Sequence, residues 1–152
     1  MANTQAIATS FKVDLLNGIH AFGTTVARGG TTADSFKAAL FLATATINAS
    51  TTAYSTTGEL AGTGNYTQGG VAVTNGNAPA SSGTTAYWTP SASFSWTNLT
   101  SSGAFDAVQI YNDTQSDKTV GVWTFSSQSI SAGDFALTMP TNDSSTALIR
   151  LA

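Results

Sequence analysis

The sequence predicts an all-β fold: a single jelly-roll-like β-sandwich domain of seven to nine strands with one short N-terminal helix. Three observations carry that expectation. Short segments rich in Thr, aromatic and β-branched residues recur along the chain, and these residue types favour pleated, half-buried surfaces. Frequent turn signals built from Gly, Asn, Asp and Ser separate them, as in sandwiches and barrels. The 152 residues suit one domain, which at this length removes roughly two-thirds of its unfolded surface from water. Residues 1–9 are read as a flexible N-terminal arm and residues 10–152 as the single domain.

The helix is expected near residues 10–17, in "SFKVDLLNG". Thr9 or Ser10 is a candidate N-cap, because a hydroxyl accepts from the free N–H groups of a first turn. Asn17-Gly18 is the stop, glycine being the common left-handed residue after a helix. About two turns do not persist in water without packing partners, so the apolar residues must dock on something. "ARGGTTADS" (Ala27 to Ser35) reads as a loop. "SFKAALFLATATI" reads as a strand with Phe36, Ala38, Leu40 and Leu42 on one face and Lys37, Ala39, Phe41 and Ala43 on the other. Both faces are largely apolar, which predicts a central strand.

Residues 48–68 form a connection much longer than most, either functional or hiding a short strand around Glu59 to Ala61. "GGVAVTNGN" is a strand ending in a turn at Asn75-Gly76. In "TAYWTPSASFSWTNL", Trp88, Phe94 and Trp96 share one parity, and Pro90 marks a break, bulge or edge. "AFDAVQIYND" and "KTVGVWTF" are strands joined as a hairpin through "NDTQSD". "QSISAGDFALTMP" and "STALIRLA" complete the set, with Gly133-Asp134 as a bulge or tight turn.

Composition excludes several classes of function. Charged residues are 9% of the chain, the net charge is −3, and Lys and Arg do not cluster. Nucleic-acid affinity rests on basic residues that neutralise phosphates, so no nucleic-acid partner is expected. A polybasic membrane patch is missing for the same reason, and no apolar run is long enough for a transmembrane helix. With no cysteine there is no disulfide, thiolate nucleophile or cysteine zinc site. "MANTQAIATS" lacks the basic and apolar regions of a secretory leader, so synthesis in a cytoplasm is expected. Ser and Thr number 44, yet 15 aromatic residues and a low net charge argue for a folded domain over a disordered one.

The candidate chemistry is sparse. His20 is the only histidine, with no nucleophile or co-ligand beside it, and reads as structural. Asp34, Asn112, Asp113 and Asp117 offer oxygens for calcium, but "NDTQSDK" does not match an EF-hand loop, and turn residues are the simpler reading. Asp106 and Glu59 are the one acid pair considered for glycoside hydrolysis; a salt bridge and a solvated loop acid are preferred. Trp88, Trp96, Trp123, Tyr54, Tyr87 and Tyr111 could form a sugar-stacking platform, although the shared phase of Trp88, Phe94 and Trp96 points to core. Sequons at Asn48, Asn65, Asn98, Asn112 and Asn142 are discounted without a leader. "GTGNYTQGG" (Gly62 to Gly70) lacks the Lys-Ser/Thr and following helix of a nucleotide loop. No catalytic residue, cofactor or metal is assigned.

The segments "SFKVDLLNGIHAFG", "DSFKAALFLA", "STTAYSTTGELAGTG", "GGVAVTN", "YWTPSASFSWTN", "AVQIYND" and "ALTMPTNDSSTALIRLA" resemble a family of small structural proteins of tailed bacteriophages. The resemblance spans nearly the whole chain and brings no catalytic residues. It implies a non-enzymatic virion component, a head decoration or cement protein foremost, with a tail-fibre, baseplate or adaptor module, which could be carbohydrate-binding, as the alternative. The implied partner is the major capsid protein or another virion protein. A homo-oligomer, a trimer by preference, would follow from a symmetric lattice. Phe11, Leu15, Leu16 and Phe22 of the helix segment are the interface candidates. The opposing reading is that they cover an open end of their own sandwich.

Overall fold

The computed structural model describes residues 2–24, 32–61 and 64–152. The fold is all-β and sandwich-like. Its elements are β1 (Ala6–Ile7), α1 (Thr9–Leu16), β2 (Phe36–Leu42), β3 (Val71–Ala72), β4 (Ala80–Ser82), β5 (Thr85–Trp88), β6 (Phe94–Leu99), β7 (Phe105–Asn112), β8 (Lys118–Gln128), β9 (Gly133–Leu137) and β10 (Ile149–Leu151). The ten strands among the described residues exceed the expected seven to nine because β1 and β4, of two and three residues, are too short for alternation to register.

The central sheet has the order β1-β8-β7-β2-β3, and every pairing in it is antiparallel. Two smaller antiparallel sheets, β10-β5-β4 and β6-β9, complete the set. β2 lies inside the central sheet and is buried on both faces, as its apolar run predicts. Phe36, Ala38 and Leu40 enter the main core with Trp88, Phe94 and Trp96 of the smaller sheets. Ala39 and Phe41 enter a second cluster with Ala45, Ile47, Ala107, Tyr111 and Val122, against which Tyr54 packs. The long connection therefore has structural work: residues 45–54 cover the second face of the sheet.

That connection also holds the short pairing expected near Glu59. Glu59 bridges Phe41, and the Leu60 N–H donates to the Leu40 carbonyl at 2.9 Å. Pro90 separates β5 from β6, and β7 and β8 form the expected hairpin. In its turn Ser116 and Asp117 adopt positive φ, 56° and 58°. β8 carries one extra residue at Val120, since Ile110 pairs Gly121 while Tyr111 pairs Thr119. This bulge reverses the parity of β8, so Val120 joins the main core and Val122 the second cluster.

The N-terminal segment corrects an expectation. Residues 2–9 are not a loose arm. Ala6 and Ile7 pair Val122 and Gly121 on the free edge of β8, and Ala8 is fully buried. The Asn3 amide donates to the Leu42 carbonyl at 3.0 Å and to Asp106 Oδ1 at 2.6 Å, and its Oδ1 accepts from the Ile47 N–H. A sheet edge leaves unpaired backbone groups, and this segment satisfies part of one.

The helix also begins differently. Its N-cap is Ala8, with no side-chain cap from Thr9 or Ser10. Its end is as expected: Gly18 has φ 66°, its N–H donates to the Leu15 carbonyl, and the Ile19 N–H donates to the Asp14 carbonyl. This is the paired-bond glycine termination of helices. Asn75 does not make a tight turn. Its side chain accepts from the Gly23 N–H and donates to the Asp34 carbonyl, tying two loops together. Most of the loop expected at Ala27 to Ser35 lies outside the described residues, as do Gly62 and Thr63 of the glycine-rich stretch. Among the described residues, no helix is long and apolar enough to cross a membrane.

Candidate functional site

The four interface candidates divide. Phe11 is buried in the chain's own core, its ring 4.8 Å from that of His20 and 6.0 Å from that of Phe22. Phe22 is half-buried and stacks on Phe36 at 4.6 Å. Leu15 is half-buried, while Leu16 is 90% exposed and Val13 54%. Phe11, Leu15, Phe22, Trp88 and Leu151 line an apolar groove of about 180 Å³ between α1 and the β10-β5 sheet. Leu151, on the groove's rim, is 48% exposed. The helix thus covers its own sandwich with Phe11 and presents Val13 and Leu16 outward.

Behind the helix lies a buried polar cluster that sequence reading did not assemble. Asp34 Oδ2 accepts from the Ala21 N–H and from Asn112 Nδ2, both at 2.8 Å, and Asp34 Oδ1 accepts from Gln115 Nε2 at 3.0 Å. Asn112 is fully buried, and its Oδ1 accepts from the N–H groups of Thr114 and Gln115. Its second amide hydrogen faces His20 Nδ1 at 2.9 Å. That makes Nδ1 the acceptor and leaves the proton on Nε2. The His20 side chain has no exposed surface, and burial lowers its pKa below the usual 6.5, against the opposing pull of Asp14 and Asp34. Asp14 itself is buried, paired through both oxygens with Lys118 Nζ at 3.1–3.2 Å. His20 is therefore sealed from any substrate and holds the loop after α1 against β7.

Three of the four residues considered for calcium are otherwise engaged. Asp34 and Asn112 bond each other, and Asp113 pairs Lys37 at 2.8 Å. Among the described residues no group of three or more His, Asp or Glu side chains is placed to hold an ion.

Glu59 is not a solvated loop acid, as expected, but buried among tyrosines. Tyr54 donates to its Oε2, and Tyr66 and the Gly69 N–H donate to its Oε1 at 2.7 and 2.8 Å. Tyr111 stacks on Tyr54 at 4.4 Å and donates to the Gly69 carbonyl. Burial raises the pKa of all three phenols, and the Glu59 charge adds to it. Asp106 accepts from Asn3, and among the described residues it forms no salt bridge of the kind expected. Neither acid lines any of the three clefts described. The geometry does not build a two-carboxylate hydrolase site.

Trp88 and Trp96 are core residues, 3% and 4% exposed, as their shared phase predicts. Trp123 differs. It is half-buried and lines a cleft of about 640 Å³ between the β1-β8 edge and the segment that leads into β10. Gly121 gives its indole room: a Cβ there would meet the far edge of the ring at 2.9 Å. The opposite wall is a turn organised by Asp143, whose Oδ1 accepts from the Ser145 N–H and hydroxyl and from the Thr146 N–H. Those bonds, Ser145 first, hold the carboxyl down to about 2. Only the turn residues "TNDSST" signalled this wall, because its partner strand lies far away in sequence. No protein-family model, curated protein or solved structure matches this chain.

Proposed function

We propose that the chain is a non-enzymatic structural protein of a tailed-phage virion, and that it decorates and cements the head shell. The observation that supports this most is the apolar surface around α1: Leu16 at 90%, Val13 at 54% and Leu151 at 48% exposure, next to the apolar groove. Apolar patches of this kind mark interaction sites. Burying Leu16 alone would contribute about 2 kcal/mol. The partner in this reading is the major capsid protein or a neighbouring virion protein. One such contact is weak. Repetition over a symmetric shell, or within a closed trimer, multiplies it into high avidity.

The test is immunogold electron microscopy of intact virions, with Leu16→Asp as the companion variant. Gold over the head, and loss of shell binding by Leu16→Asp with its fold intact by circular dichroism, would support the reading. Gold confined to the tail would move the chain to a tail-fibre or adaptor role. Absence from virions would sink both.

A further inference from the structure

We propose that the cleft between Trp123 and Arg150 binds a saccharide that carries a carboxylate. This does not depend on where in a virion the chain sits. Four observations converge. The cleft's volume, about 640 Å³, lies in the range of small-ligand sites. Trp123 is the one tryptophan of the three that is not fully buried, and Gly121 leaves the space its indole occupies. Sugar rings present C–H faces that stack on such an indole, which supplies apolar contact at small entropy cost. Gln5, Thr85, Ser144 and Thr146 also line the cleft, the Gln5 amide oxygen accepting from the Thr124 N–H and the Thr146 hydroxyl donating to the Thr141 carbonyl, a sparse polar lining of the kind that orients a polyol.

The fourth observation sets the charge. Arg150 lines the cleft and is exposed, and one of its Nη1 hydrogens is held by the Ser145 carbonyl. It has no acidic partner among the described residues. The bond to Ser145 steadies the guanidinium and leaves most of its five donors free for a planar anion. Asp143 is not among the residues that line the cleft, and its Oδ1 is turned to Ser145 and Thr146. An unpaired arginine beside a reachable tryptophan selects an acidic sugar over a neutral one.

The experiment is calorimetric and fluorescence titration of the full chain with a tetragalacturonate, and with maltotetraose as the neutral probe. Expected is a shift in Trp123 emission with the acidic probe, lost in Trp123→Phe and weakened with rising salt. Arg150→Gln should weaken acidic binding at least tenfold and leave the unfolding midpoint within a few degrees. Because Trp123 also packs on the core, Ser144→Trp, which fills the cleft from the half-exposed turn, serves as an independent block. No binding of the acidic probe overturns the proposal. So does equal binding of the neutral probe, or acidic binding that Arg150→Gln and Ser144→Trp leave unchanged.

Discussion

Asn112 donates to Asp34 at 2.8 Å across 78 residues of chain, and with the same amide nitrogen to His20. Together with the two N–H groups that its Oδ1 accepts, it uses every hydrogen-bonding position it has. His20 Nε2 is the buried atom of the cluster without a hydrogen-bond partner, so the network rests on the bonds of Asn112, and a single exchange there turns it against the fold. Asn112→Asp replaces two donors by a carboxylate facing Asp34. It should cost about 3 kcal/mol or more in urea unfolding at pH 7. Part of the loss should return near pH 4, where protonation removes the repulsion. A midpoint unchanged at pH 7 would show that the cluster does not hold the fold.

His20 makes the fold sensitive to mild acid. Its folded pKa lies below the unfolded 6.5, because its ring is enclosed by Phe11, Phe22 and Phe36. As pH falls through 6.5 the unfolded chain binds the proton first, so stability drops until the folded pKa is reached. Asp14 and Asp34 soften the effect, and Lys118 sharpens it. The melting temperature should fall between pH 8 and pH 5, with a shallower slope in His20→Gln. Equal slopes in the two proteins would remove His20 from the account.

How much of this was legible in the chain depended on sequence distance. β2, the Pro90 break, the core phase of Trp88 and Trp96, the β7-β8 hairpin and the Gly18 helix stop are local patterns, and each stands in the structure. β1 and β4 left no signal, since two or three residues carry no periodicity. The buried acids were the larger miss. Asp14, Asp34 and Glu59 look like surface residues until Lys118, Asn112 and the three tyrosines arrive from elsewhere in the chain. The helix candidates were half legible: a run of apolar residues does not say which of Phe11 and Leu16 faces inward.

Gly70 and Gly83 both have positive φ, 73° and 58°, and should respond very differently to alanine. At Gly83 a Cβ would stand in open space, so Gly83→Ala should cost only the left-handed strain, about 1 kcal/mol. At Gly70 a Cβ would overlap the Ala38 carbonyl of β2 and lie 2.7 Å from Ala39 Cα. Backbone of a central strand cannot yield, so Gly70→Ala should lose about 4 kcal/mol or more, or fail to fold. Urea midpoints that rank the two variants equally would contradict the packing of β3 on β2.

Tyr66 joins two elements at once: it donates to Glu59 and accepts from the Leu40 N–H at 3.0 Å. Tyr66→Phe leaves a buried N–H of β2 and a carboxylate oxygen each short of a partner. A cost of about 2–3 kcal/mol should follow. The same cluster sets an alkaline limit. The folded pKa values of Tyr54, Tyr66 and Tyr111 lie above the unfolded value of 10, through burial and through the Glu59 charge beside Tyr54 and Tyr66. Their contribution is complete below pH 10. It declines above it, because the unfolded chain releases its phenolic protons first. Absorbance at the phenolate band should therefore rise together with loss of near-ultraviolet circular dichroism. In a Tyr87→Phe background, where the only tyrosines are the three around Glu59, phenolate that appears near pH 10 in a chain that is still folded would show that they are open to solvent.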